Sequence, residues 1–192
     1  MKMKAEMPIS LLCNNEGSEL VRIFYEAAQL KQLYRQGWLR QEVPMERCES
    51  VADHSFLTAF LSMLLVQDRS DLDALKVLQM ALLHDLGEAY VGDITPNDNV
   101  PSDVKVSRER EAVISVLDKY KSGKKFIVVW EEYIEQITPE AKFVKEIDRL
   151  ELFFQSTIYE KQGLVDSNPF VEYAKKSIVS DNLIKELEGF KL

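Results

Sequence analysis

Cysteine is nearly absent from this chain. Cys13 and Cys48 stand alone, which is too few for a disulfide framework and suits a reducing compartment. Glycine and proline are scarce, seven and six in 192 residues, so a loop-rich architecture is excluded. No run of about 18 apolar residues exists, so no segment reads as a membrane-spanning helix. The start "MKMKAEMPISLLCNN" carries lysines but no apolar stretch long enough for a signal peptide, and Glu6 interrupts it. A basic footprint is missing too. The net charge of −8 and a pI near 5.0 argue against a nucleic-acid polymer or an anionic membrane as partner, though a small anion could be held by one or two local cations. The expected setting is the cytoplasm.

What is present is ordinary for a globular chain: 46% hydrophobic and 29% charged residues, with enough length for one domain and its core. No repeat or low-complexity linker divides it, so residues 1–192 read as a single domain. The apolar periodicity is helical throughout. Residues 17–34 place Leu20, Phe24, Ala27 or Ala28, and Leu30 on one face. Residues 50–67 form a helix with Ser50 as N-cap and Asp53 three places on, a capping-box pattern. Residues 71–86 start at Asp71, another N-cap type. Ser107 is a candidate cap for a helix to about Tyr120, with Glu109 in its first turn, where an acidic residue suits the helix dipole. "FIVVW" (126–130) has strand-like content, but the spacing continues as a helix, and Trp130 reads as part of a surface helix. Thr138 caps the clearest helix, with Pro139 in first position and Gly163 as its stop. Asn168 and Pro169 repeat that pattern, opening a C-terminal helical part. The connection from Val91 to Val106 is long for a compact domain, and such loops are often functional.

The chain's only two histidines, His54 and His84, both take positions where a hydrophobic residue is expected. Either alone is most simply a hydrogen-bonded core histidine. Two carboxylates alter that balance: Asp85 shares the inward stripe of Ala81, and Asp148 sits four residues from both Val144 and Leu152. One unpaired buried carboxylate costs several kcal/mol. Two imidazoles and two carboxylates around a divalent cation sum to zero charge. Mn, Co, Fe and Zn all suit such nitrogen and oxygen donors, and the sequence does not choose among them. Glu88 follows His84 by four residues, on the same face of a continuing helix, within reach of a water held there.

"VADHS" with His54, "LLHDLGE" with His84 and Asp85, and "VKEIDRLE" with Asp148 resemble the ordered signature of the HD-domain metal-dependent phosphohydrolases. The flanking "ESVADHS", "HDLGEAYVGDITP" and "TPEAKFVKEIDRLE" are similar to the 5′-deoxynucleotidase-like branch. The resemblance covers roughly 18–165, leaving 166–192 as a helical extension. It implies an all-α HD-domain bundle with a long loop after the HD helix and one divalent metal ion per chain on His54, His84, Asp85 and Asp148. It further implies Glu88 at the water, Asp93 at the sugar and leaving oxygen, and Arg35 and Trp38 at the phosphate; Arg40, which no motif supports, is the alternative cation there. The implied activity releases phosphate from (deoxy)nucleoside 5′-monophosphates, in a homodimer. The rival readings are an HD enzyme acting on a phosphodiester or nucleoside polyphosphate, and a non-catalytic metal-containing nucleotide sensor.

Overall fold

The computed structural model describes residues 2–12 and 17–189; Cys13 lies outside the described residues. Among these the architecture is all-α. The helices are α1 (Glu19–Ala28), α2 (Gln36–Arg40), α3 (Val51–Leu65), α4 (Ala74–Leu83), α5 (Glu88–Val91), α6 (Ser102–Leu117), α7 (Gly123–Glu135), α8 (Pro139–Lys161), α9 (Asn168–Ser177) and α10 (Asp181–Gly189). Two isolated antiparallel bridges, Met3 with Leu33 and Tyr34 with Ser50, tie the N-terminal segments together. No helix among the described residues is long and apolar enough to cross a membrane.

Local signals explain several boundaries. Ser50 and Asp53 form a full capping box at the start of α3, which satisfies two otherwise orphaned backbone donors. Thr138 accepts from the Ala141 N–H at the start of α8, and Gly163 beyond its end has φ 71°, where glycine is favoured. The stretch 126–130 lies inside α7. The main core is built where α3, α4, α7 and α8 meet, around Val77, Met80, Val144, Ile147 and Leu150.

Other expectations are corrected. The first helix ends at Ala28 and passes into a 3-10 turn over Gln29–Lys31. Leu20 and Phe24 of its expected inward stripe are 61% and 66% exposed, and Leu30 alone is fully buried. Asp73, not Asp71, caps α4, because Asp71 is engaged with the Arg69 guanidinium. Helix α6 begins at Ser102 instead of Ser107. The preceding loop is correspondingly shorter, and Glu109 lies well inside the helix. Ser167, not Asn168, is the N-cap position of α9.

Helix α3 also inverts the usual pattern. It buries His54, Ser55, Thr58, Ala59 and Ser62, while Phe56, Phe60, Met63 and Leu64 face outward and Leu57 is only partly covered. Trp130 is buried, not superficial: its indole N–H donates to the His84 carbonyl at 3.2 Å.

Candidate metal centre and cleft

The site is assembled where α4 gives way to a tight turn. Helix α4 ends at Leu83, His84 is its C-cap, and the chain re-forms a single turn at α5. The Glu88 N–H donates to the Asp85 carbonyl at 3.0 Å, which folds Glu88 back under the turn. Gly87 permits this because α6 passes close by. A Cβ there would lie 2.8 Å from Glu109 Cβ and 2.9 Å from its Cα, nearer than packed atoms tolerate. Gly92, at φ 83°, then turns the chain so that Asp93 is buried beside α2, where it accepts the Gln36 N–H at 2.6 Å.

His54, from the first turn of α3, meets this turn face to face. Its Nε2 lies 3.3 Å from His84 Nε2, 3.7 Å from Asp85 Oδ2 and 3.2 Å from Asp148 Oδ1. His84 Nε2 is 3.1 Å from the same Asp85 oxygen. The other ring nitrogens fix the tautomers. His84 Nδ1 donates to the Ala81 carbonyl at 2.8 Å, and His54 Nδ1 donates to Glu151 Oε2 at 2.5 Å. In neutral rings both Nε2 atoms therefore present lone pairs, to each other and to carboxylate oxygens, with no proton between them. Asp85 Oδ2 is buried without a hydrogen bond. Such a cluster of acceptors fits a cation, and the geometry brings His54, His84 and Asp85 within reach of one ion. Asp148 lies beside that three-residue group and not within it: its Oδ1 is 3.2 Å from His54 Nε2, and its Oδ2 accepts from Lys145 at 2.9 Å.

The electrostatics agree. Burial and Arg35 push His54 down, yet Glu151 and Asp148 raise it to about 10, the direction expected where the surroundings favour positive charge. Burial opposes ionisation of Asp85 and Asp148, but the imidazoles, with Arg35 for the first and Lys145 for the second, hold both well below the usual carboxylate range. Glu88 goes the other way. Burial, Asp85 and Asp93 push it well above its ordinary value, and its Oε2 has no hydrogen-bond partner.

Outside the ligand cluster a cleft of about 430 Å³ opens, lined by Asp85, Glu88, Asp93, Asp148, Arg35 and Trp38 among others. Every sequence-predicted site residue thus borders the cleft or the ligand cluster beneath it. The guanidinium of Arg35 stands 3.8 Å from Asp85, and 3.9 Å from both Asp93 and Glu49. Trp38 is at the wall, with its indole N–H already given to Glu49 Oε1 at 2.7 Å and its ring against Tyr159 and Phe170. Arg40 pairs with Asp98 across the cleft mouth.

Sequence reasoning missed Glu49, Glu151 and Lys105. The signal for Glu151 was present: it lies three residues beyond Asp148 on α8 and therefore shares its face. The same spacing, three residues before Asp148, marks Lys145 as its ion-pair partner, whereas nothing in the sequence marks Phe170 of α9 as part of the cleft wall.

These features define a divalent-cation site opening into a charged cleft. The chain belongs to the HD domain family, whose model matches residues 27–188 and so extends through the C-terminal helices as well. The 5′-deoxynucleotidase HDDC2 of Mus musculus is 38% identical over 154 residues, covering 79% of this chain and 75% of its own. The protein of the same name from Homo sapiens is 39% identical over 143 residues, covering 73% and 68%. A solved structure, a conserved hypothetical protein from Pyrococcus furiosus, superposes with a TM-score of 0.74 at 30% identity, covering 88% of this chain and 97% of that one.

Proposed function

We propose that this chain is a divalent-metal-dependent phosphohydrolase releasing phosphate from deoxynucleoside 5′-monophosphates. The observation that carries the reading is the convergence of ligand atoms from His54, His84 and Asp85 within reach of one ion, with both imidazole Nδ1 atoms already committed to other acceptors. His54, His84, Asp85 and Asp148 hold the ion. A divalent ion there supplies Lewis acidity toward a phosphate oxygen and makes water a competent nucleophile at neutral pH. The relatives, both 5′-deoxynucleotidases by name, support the substrate class.

The remaining roles fall to the chain's own residues. Glu88, buried beside the cluster with an unpartnered oxygen, orients the attacking water and takes its proton. Arg35 meets the phosphate, since its guanidinium makes no direct hydrogen bond to the acids around it and keeps its forked donors for phosphate oxygens. Trp38 serves as wall beside it. Asp93 faces the sugar and leaving-oxygen side.

We read residues 1–192 as one HD domain working in the cytoplasm as a homodimer. The apolar outer face of α3, with Phe56 and Phe60 stacked on it, supports the dimer; sedimentation giving a monomer at micromolar concentration would remove it. For the function, purified protein should contain a stoichiometric divalent metal by elemental analysis. It should release inorganic phosphate from deoxynucleoside monophosphates, and chelator should abolish that release. Preferential hydrolysis of triphosphates would overturn the monophosphate assignment.

A further inference from the structure

Glu49 is a buried acid that none of the roles above uses. It stands immediately before Ser50, the N-cap of α3, so it is tied to the helix that carries His54. Its backbone is tied to the segment carrying Arg35: the Arg35 N–H donates to the Glu49 carbonyl at 3.1 Å, beside the Tyr34–Ser50 bridge. The Glu49 N–H in turn donates to the Tyr159 hydroxyl at 3.0 Å. Its side chain repeats the link, since one oxygen accepts the Trp38 indole N–H at 2.7 Å and lies 3.9 Å from Arg35 Nε. Arg35 is the N-cap residue of α2 and Trp38 its third residue, so a single carboxylate oxygen spans the first turn of that helix.

The placement on Arg35 is directional. Glu49 approaches the Nε side of the guanidinium, whereas Asp85 and Asp93 approach Nη1. A carboxylate behind Nε opposes the pull of those two acids and keeps the terminal nitrogens toward the cleft. The cost of holding it there is visible: burial first, and then the neighbouring Glu151 charge, push Glu49 up to about 7. Buried acids kept at such a cost beside a cleft are candidates for a functional role.

We propose that Glu49 is a positioning residue for phosphate recognition. It holds Arg35 and Trp38 at a fixed place relative to the metal helix and stops the guanidinium from collapsing onto Asp85 and Asp93. This rests on the reading of Arg35 as the phosphate-binding cation.

The test uses Glu49→Gln, which keeps an acceptor for the Trp38 N–H and removes only the charge. KM for a deoxynucleoside 5′-monophosphate should rise about tenfold, the size of one charge-assisted contact, and the loss should fall on KM instead of kcat. Inorganic phosphate, titrated calorimetrically into metal-loaded protein, should bind more weakly by a similar factor. Inhibition by the unphosphorylated deoxynucleoside should not change. In an Arg35→Gln background, Glu49→Gln should add nothing. A folded Glu49→Gln protein with unchanged KM and phosphate affinity overturns the proposal, as does equal weakening of the deoxynucleoside. If the wild type hydrolyses no nucleotide, the functional reading fails instead, and the calorimetric titration still decides the role of Glu49.

Discussion

At the proposed metal end of the cleft three of the four candidate ligand side chains are braced by a second contact. His54 is held by Glu151, His84 by the Ala81 carbonyl and Asp148 by Lys145. At the phosphate end the guanidinium of Arg35 is surrounded by three acids and hydrogen-bonded to none of them. The ligands of the first end project from α3, from the end of α4 and from α8, whereas Arg35 caps a helix of five residues. The difference suits the two tasks proposed for these ends. Ligand atoms must converge on one ion with little tolerance, and outer contacts that orient imidazoles supply that. A phosphate-binding cation must keep its donors free until the ligand arrives, so it is steered by charge at nearly 4 Å and not locked by direct hydrogen bonds.

If that contrast holds, substitutions should sort by end. The largest loss is expected from Asp85→Asn, which removes a ligand charge: bound metal should disappear from elemental analysis and turnover should fall on the order of 10³-fold, with the helical circular dichroism retained. Glu88→Gln should keep its metal yet lower kcat by about 10²- to 10³-fold; full turnover in a metal-loaded variant would remove Glu88 from the chemistry. Glu151→Gln touches no substrate and should weaken metal binding by about 10- to 100-fold, measured by competition with a chromogenic chelator. Ion loading near neutral pH should also expel a proton from the wild type, because His54 in the ion-free protein holds one up to about pH 10. Calorimetry in buffers of different ionisation enthalpy reads that release. The smallest effect belongs to the phosphate end. Trp38→Phe leaves Glu49 without its indole donor and should raise KM by a few-fold, about 1 kcal/mol, with metal content untouched. A Trp38→Phe protein that lost its metal would erase the distinction between the two ends.

The metal end was legible because its information is local. His54 and Asp148 occupy inward helical positions where a polar residue is costly, His84 and Asp85 follow directly on the apolar stripe of α4, and the caps at Ser50 and Thr138 set the register of α3 and α8. Reading α4 as one helix through to residue 86 missed the turn at His84, since the turn depends on Gly87 meeting α6. The phosphate end was legible only through family resemblance. Arg35 and Trp38 could be named, but Glu49 could not, because its partner oxygen is defined by a chain crossing and not by any spacing.

Periodicity also failed for α1, whose expected inward stripe faces outward, while α3 buries His54 as its spacing predicts and still carries Phe56 and Phe60 on its outer face. A helical stripe states that a face prefers to leave water; it does not state what covers that face. Trp130 shows the reverse, since a residue beside Glu131 and Glu132 reads as superficial and is in fact buried under the His84 carbonyl.

By itself, then, the sequence determined the helical periodicity, several of the caps and the order of the four ligand residues, because each depends on contacts within a few positions along the chain. The tertiary structure alone decided which atoms face one another: two imidazole lone pairs at 3.3 Å and the acids that steer Arg35. Those relations join residues on separate helices, and the packing of whole helices fixes them.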